Sequence, residues 1–250
     1  MVNLRSNHHE PPKEPRRART LVDDPVYYVM LGVFALLTTA TPLLLGQPRF
    51  LPFAQSAALT AFLALPLRER RAGRALAILA AWLLVEFAVV FAATLIVPRG
   101  AEAAVGGGFA YRAALLEWLY GVGTLPTGWA AQPGLRAWEI GAATAGSLLT
   151  GGFLGYWTVV KLTALAAYGA AVAWESGAGL GGLLPWQLLR IAGYCGLVVI
   201  TAQALWAGIW SPGALRRAHR RLLPVSVALL GAALLLEVLL PSLWRSMLAP

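Results

Sequence analysis

Three tight clusters of basic residues separate long apolar runs, and this spacing constrains the fold more than any other feature of the chain. Arg5, Lys13, Arg16, Arg17 and Arg19 precede the first run. Arg68, Arg70, Arg71 and Arg74 follow the second, and Arg216, Arg217, Arg220 and Arg221 precede the last. Basic residues in short loops stay on the cytoplasmic side of a bilayer, so all three clusters belong to one face and the runs between them must cross in even numbers. With 58% apolar and only 12% charged residues, well below the roughly 25% charged of soluble domains, the chain reads as an all-α, polytopic integral membrane helix bundle. About seven spans are expected, or six plus a re-entrant hairpin, together with an amphipathic helix on the outer interface.

The net charge of +9 does not imply nucleic acid, because the basic residues sit where helices are oriented and where anionic lipid head groups could be attracted. Cys195 is the only cysteine, which excludes an intrachain disulfide and any Cys–Cys metal site. Residues 1–25, with His8, His9, Pro11, Pro12 and Pro15, read as a disordered basic cytoplasmic tail, and 26–250 as a single transmembrane domain.

Segment one runs from Val26 to Leu45, entered through Asp24 and Pro25 and closed by Gly46. Segment two, Phe50 to Leu65, is bounded by Pro52 and Pro66, and segment three spans Ala75 to Val97 with Glu86 near its centre. Residues 98–137 are too polar and glycine-rich to cross and belong outside. Within them Phe109 to Tyr120 predicts a helix in the interface plane, with Tyr111, Leu115 and Trp118 on its apolar face.

The stretch from Trp138 to Trp174 must enter and return for the topology to close. Two short spans meeting near Tyr156 to Lys161 would do so, with Lys161 at the cytoplasmic turn, and so would a re-entrant hairpin broken at Gly151 and Gly152. The first is the preferred expectation. The remaining spans run from Trp186 to Trp210 and from Leu222 to Trp244.

Ala143, Ser147, Gly151 and Gly155 recur every fourth residue and predict a small-residue stripe on one helix, against which a helix of this chain or of another subunit can pack closely. Glu86, Gln203 and Glu237 are the polar groups expected near the bilayer midplane, where a charged side chain costs about 2.5–3.5 kcal/mol and must be neutral, paired or hydrated. Arg190 is expected to snorkel from a helix end, and Arg136 with Glu139 to form a surface pair. Trp138, Trp157, Trp174, Trp186, Trp210 and Trp244 read as interfacial anchors.

No histidine falls within a span, and no nucleophile elbow, phosphate loop or paired acids at catalytic spacing occur, so no catalytic residue, metal or cofactor is expected. Two functions fit. One is a non-catalytic subunit, scaffold or assembly factor of a larger membrane complex, in contact with the lipid bilayer and other membrane subunits. The other is a permease or transporter subunit for a small solute or ion, built around Glu86. Either would be a multi-pass protein of the cell membrane with its N-terminus in the cytoplasm.

Overall fold

The computed structural model describes residues 24–125 and 132–248, and every described element is helical. The tail before Asp24, with the first basic cluster, lies outside the described residues. Helix α1 (Pro25–Leu45) starts where Asp24 Oδ1 accepts from the Val26 amide at 2.9 Å, and stops at Gly46, whose φ of 62° lets the Gly46 and Gln47 amides reach back to the Leu43 and Pro42 carbonyls. Helix α2 (Phe50–Arg68) runs past Pro66, where the sequence predicted an end. Proline removes the amide that would bond the Phe62 carbonyl, and the Tyr27 hydroxyl of α1 donates to that carbonyl instead. The helix is therefore longer than expected. Its partner α3 spans Ala72–Ile96.

Residues 98–119 fold into two short helices, α4 (Pro98–Ala104) and α5 (Gly108–Leu119). A Cβ on Gly100 would lie 2.7 Å from the Leu43 carbonyl oxygen, which shows how closely α4 caps the end of α1. Tyr111, Leu115 and Trp118 are buried and turned toward the bundle, where α5 packs on the long helix that follows.

The stretch that must enter and return does so at Gly151–Gly152. A first leg comprises α6 (Pro133–Gly141), a π turn (142–146) and α7 (Ser147–Thr150), and a second leg is the unbroken helix α8 (Phe153–Glu175). Both turn glycines have positive φ, 64° and 104°, where a side chain would be strained. The preferred junction near Tyr156 to Lys161 is thus corrected: that region lies inside α8. Among the described residues six helices are long and apolar enough to cross a membrane: α1, α2, α3, α8, α9 (Pro185–Trp206) and α11 (Leu222–Leu239). Between the last two lies α10 (Pro212–Ala218), and α12 (Pro241–Leu248) follows α11.

Helix α8 is the most enclosed of the six and packs against α2, α3, α5 and α9. The predicted small-residue stripe is split by the turn. Ser147 and Gly155 stand on opposite legs, facing each other, and both rest on α9, where a Cβ at Gly155 would lie 2.6 Å from Val198 Cγ2 and 2.8 Å from Ser147 Oγ. Thr201 donates to the Ala143 carbonyl at 3.2 Å, and Trp206 Nε1 to the Gly151 carbonyl at 2.9 Å. The whole stripe is therefore occupied by α9 of the same chain. A second close contact, absent from the sequence reading, joins α9 to α11 through Gly193 and Gly196 against Leu230 and Ser226.

Contacts gather the loops into two groups. Arg68 lies over the Trp206 ring at 4.7 Å, and Arg70 donates to the Ala207 carbonyl at 3.4 Å, so the second basic cluster meets the loop leading to the third. In the other group Arg112 pairs with Glu175 at 3.1 Å and Trp244 Nε1 donates to the Gly181 carbonyl at 3.0 Å. Trp186 is fully buried and so is a core residue, not an interfacial anchor.

Gly155→Leu should lower stability by about 1–3 kcal/mol through overpacking between the legs and α9. Gly231→Leu, at a site in α11 with nothing within 4 Å, should be nearly silent. Size-exclusion profiles after stepwise heating in mild detergent would separate the two. Equal losses would show that Gly155 is no tighter than a lipid-facing glycine.

Candidate functional site

Where α6 and α9 begin and α11 ends, four charged side chains meet out of solvent contact. Arg136 Nη1 donates to both carboxylate oxygens of Glu139, one turn along α6, at 2.8 and 2.9 Å. Its Nη2 donates to Glu237 Oε1 at 3.0 Å, and Arg190 Nη1 donates to Glu237 Oε2 at 3.3 Å. None of the four exceeds 5% exposure. This corrects three expectations at once: Arg190 does not snorkel, Arg136–Glu139 is not a surface pair, and Glu237, two residues before the end of α11, is bound to both arginines and is not at the midplane. Burial changes the energetics too. An exposed pair contributes about 0–1 kcal/mol, whereas removing one partner of a buried pair costs about 3–5 kcal/mol because the other charge is stranded.

Beside this network opens a cavity of about 500 Å³, inside the roughly 300–1,000 Å³ range of small-molecule sites. Its walls come from the start of α2, from α5, from α6 and from the middle of α8. Arg136, Glu139 and Arg190 form its charged edge, and Leu51, Pro52, Trp157, Val160, Leu162 and Leu165 supply much of the rest. Tyr111 also lines it. Burial pushes the Tyr111 hydroxyl up to about 12, so it stays neutral and able to donate.

Lys161 faces the same cavity. It stands eight residues after Phe153 and fourteen before Glu175, about 12 Å and about 21 Å along the helix axis. It is exposed, and it makes no ion pair or hydrogen bond among the described residues. The turn to which the sequence assigned it is formed by the two glycines, which leaves a lysine within a spanning helix. The network holds two positive and two negative side chains, so Lys161 gives the cavity a surplus of one positive charge.

The three polar residues expected at one midplane site lie apart. Glu86 is fully buried on α3, one turn from Trp82, with Gln55 of α2 as its polar neighbour, while Trp82 Nε1 donates to Gln55 Oε1 at 2.8 Å. Neither Glu86 oxygen has a hydrogen bond of ordinary geometry. Gln203 donates to the Leu67 carbonyl at 3.4 Å, tying α9 to α2. Glu237 belongs to the arginine network. The residues missed as a site were Arg136, Glu139, Arg190 and Lys161, and the available signal was that each interrupts an otherwise apolar stretch at a helix end or within a helix.

No protein-family model, no curated protein and no solved structure matches this chain.

Glu237→Gln leaves two guanidiniums with one carboxylate and should lower unfolding free energy by about 3 kcal/mol or more. Adding Arg190→Gln should restore a good part of it. Thermal unfolding of the two single variants and the double variant measures the coupling, and strictly additive losses would show that these charges do not act together.

Proposed function

We propose that the chain is a multi-pass protein of the cell membrane that binds a small anionic solute within the bilayer, as a permease or transporter subunit without chemistry of its own. The observation that carries this reading is Lys161. An ammonium group inside a spanning helix costs about 2.5–3.5 kcal/mol on insertion scales, yet it lines a cavity beside two arginines with no carboxylate of its own. A bound anion would complete it. The site moves from Glu86, whose surroundings are packed helices, to the α2–α5–α6–α8 cavity.

The gathering of Arg68, Arg70 and the loop after Trp206 supports the orientation with that side, and the N-terminus, in the cytoplasm. A second reading, a non-catalytic subunit, scaffold or assembly factor of a larger complex, draws on α11. Val225, Val227, Leu235, Val238 and Leu239 leave much of that helix uncovered by the other described residues, as a partner helix or lipid would require.

Reconstituted protein should bind or pass at least one member of a panel of radiolabelled carboxylates and phosphates, with Lys161→Gln reducing it at least tenfold and Glu86→Gln leaving it unchanged. A panel without any Lys161-dependent anion would favour the subunit reading. For orientation, in a Cys195→Ala background, cysteine at position 107 should react only from outside and cysteine at position 70 only from the cytoplasm. The reverse pattern would invert the scheme.

A further inference from the structure

We infer that the ligand of this cavity is an amphiphile drawn from the membrane: a head group carrying one negative charge, taken by Lys161, on an apolar chain that leaves sideways into lipid between α2 and α6. This rests on the anion-site reading above and narrows it to a ligand class.

Charge sets the head group. The charges of Arg136 and Arg190 are already paired with Glu139 and Glu237, at 2.8 to 3.3 Å. A ligand that needed both arginines would have to strand two buried carboxylates. Lys161 is the cation in the lining that has no such partner among the described residues, so one negative charge matches the site.

The walls set the tail. Around Lys161 the lining is aliphatic and aromatic, with Leu51 and Pro52 on α2 and Trp157, Val160, Leu162 and Leu165 on α8. A small hydrophilic anion would leave these surfaces against water. On its α2–α6 side the rim is apolar, because Leu135 and Trp138 line the cavity and are themselves 43% and 62% exposed, and Phe53, next to the lining residue Pro52, is 51% exposed; elsewhere it is formed by the exposed Pro48, Gly106, Gly107 and Gln132 of the connecting segments. Exposed leucine, tryptophan and phenylalanine suit the border between head groups and hydrocarbon, so on this side the mouth gives an apolar chain access to lipid, while the connecting segments at 48, 106–107 and 132 keep the rest of the opening at the outer surface. Beside it, Trp157 packs on Phe153 at 6.2 Å between ring centroids, and Phe153 meets Phe53 edge-on at 5.8 Å, so aromatic contacts bridge α2 and α8.

The test uses the full chain in phosphatidylcholine nanodiscs with radiolabelled oleate, competed by oleyl alcohol, which keeps the chain and loses the charge, and by acetate, which keeps the charge and loses the chain. We expect saturable binding of one oleate per chain, with oleyl alcohol at least tenfold weaker as a competitor and acetate ineffective at millimolar concentration. Lys161→Gln should weaken oleate at least tenfold and Lys161→Arg should restore most of it. Oleyl alcohol competing as well as oleate would overturn the charge assignment, on unmodified protein and without recourse to a variant. Acetate competing as well as oleate would overturn the amphiphile and leave the anion site standing. Absence of saturable binding by oleate, acetate and phosphate alike would remove both readings.

Discussion

Two arginines and two carboxylates, closed off from solvent, hold together the end of the bundle where α6, α9 and α11 meet. The first leg of the returning segment is short, carries charge near its start and contains a π turn, so hydrophobicity alone would not keep it in place. Arg136 anchors it by bonding forward to Glu139 and across to Glu237, while Arg190 holds the other side of the same carboxylate. Each charge is tolerable only because the others are present. With α6 pinned there, a gap is left between it and the start of α2, floored by the middle of α8. The cavity is thus a by-product of how buried charge is balanced.

Much of the architecture was legible in the sequence because its causes are local. Long apolar runs, proline and glycine at their ends and the arginine clusters define helices and their grouping, and the boundaries of α1 and α3 fall within a few residues of those read from the chain. Pro66 was misread because its consequence depends on a tyrosine 39 positions earlier. The return at Gly151–Gly152 was one of two open alternatives. Periodicity across an apolar stretch cannot tell a glycine that tightens a helix contact, as Gly155 does, from one that reverses the chain, as Gly152 does, and Gly151 does both.

The site was less legible than the fold. Glu86 drew attention because it sits in the middle of an apolar run, yet its neighbours are Gln55 and Trp82 in tightly packed helices. Arg136, Glu139 and Arg190 each looked like ordinary helix-end charges, and Glu237 was expected near the midplane. Only the third dimension brings residues 101 positions apart into contact. Lys161 was assigned to a turn on the assumption that a lone lysine marks an interface, and that assumption fails when a cavity stands beside the helix.

The bond from Tyr27 to the Phe62 carbonyl bears on how the chain assembles. While α2 stands alone in hydrocarbon, the carbonyl four residues before Pro66 has no amide to accept from, and an unsatisfied peptide group there costs several kcal/mol. The donor is near the start of α1, which precedes α2 in the chain and has little of its surface buried even in the folded bundle. Neither helix is complete without the other, and each is satisfied once they lie side by side. The two spans therefore complete each other at this point, the tyrosine of one supplying the donor that the proline of the other removes.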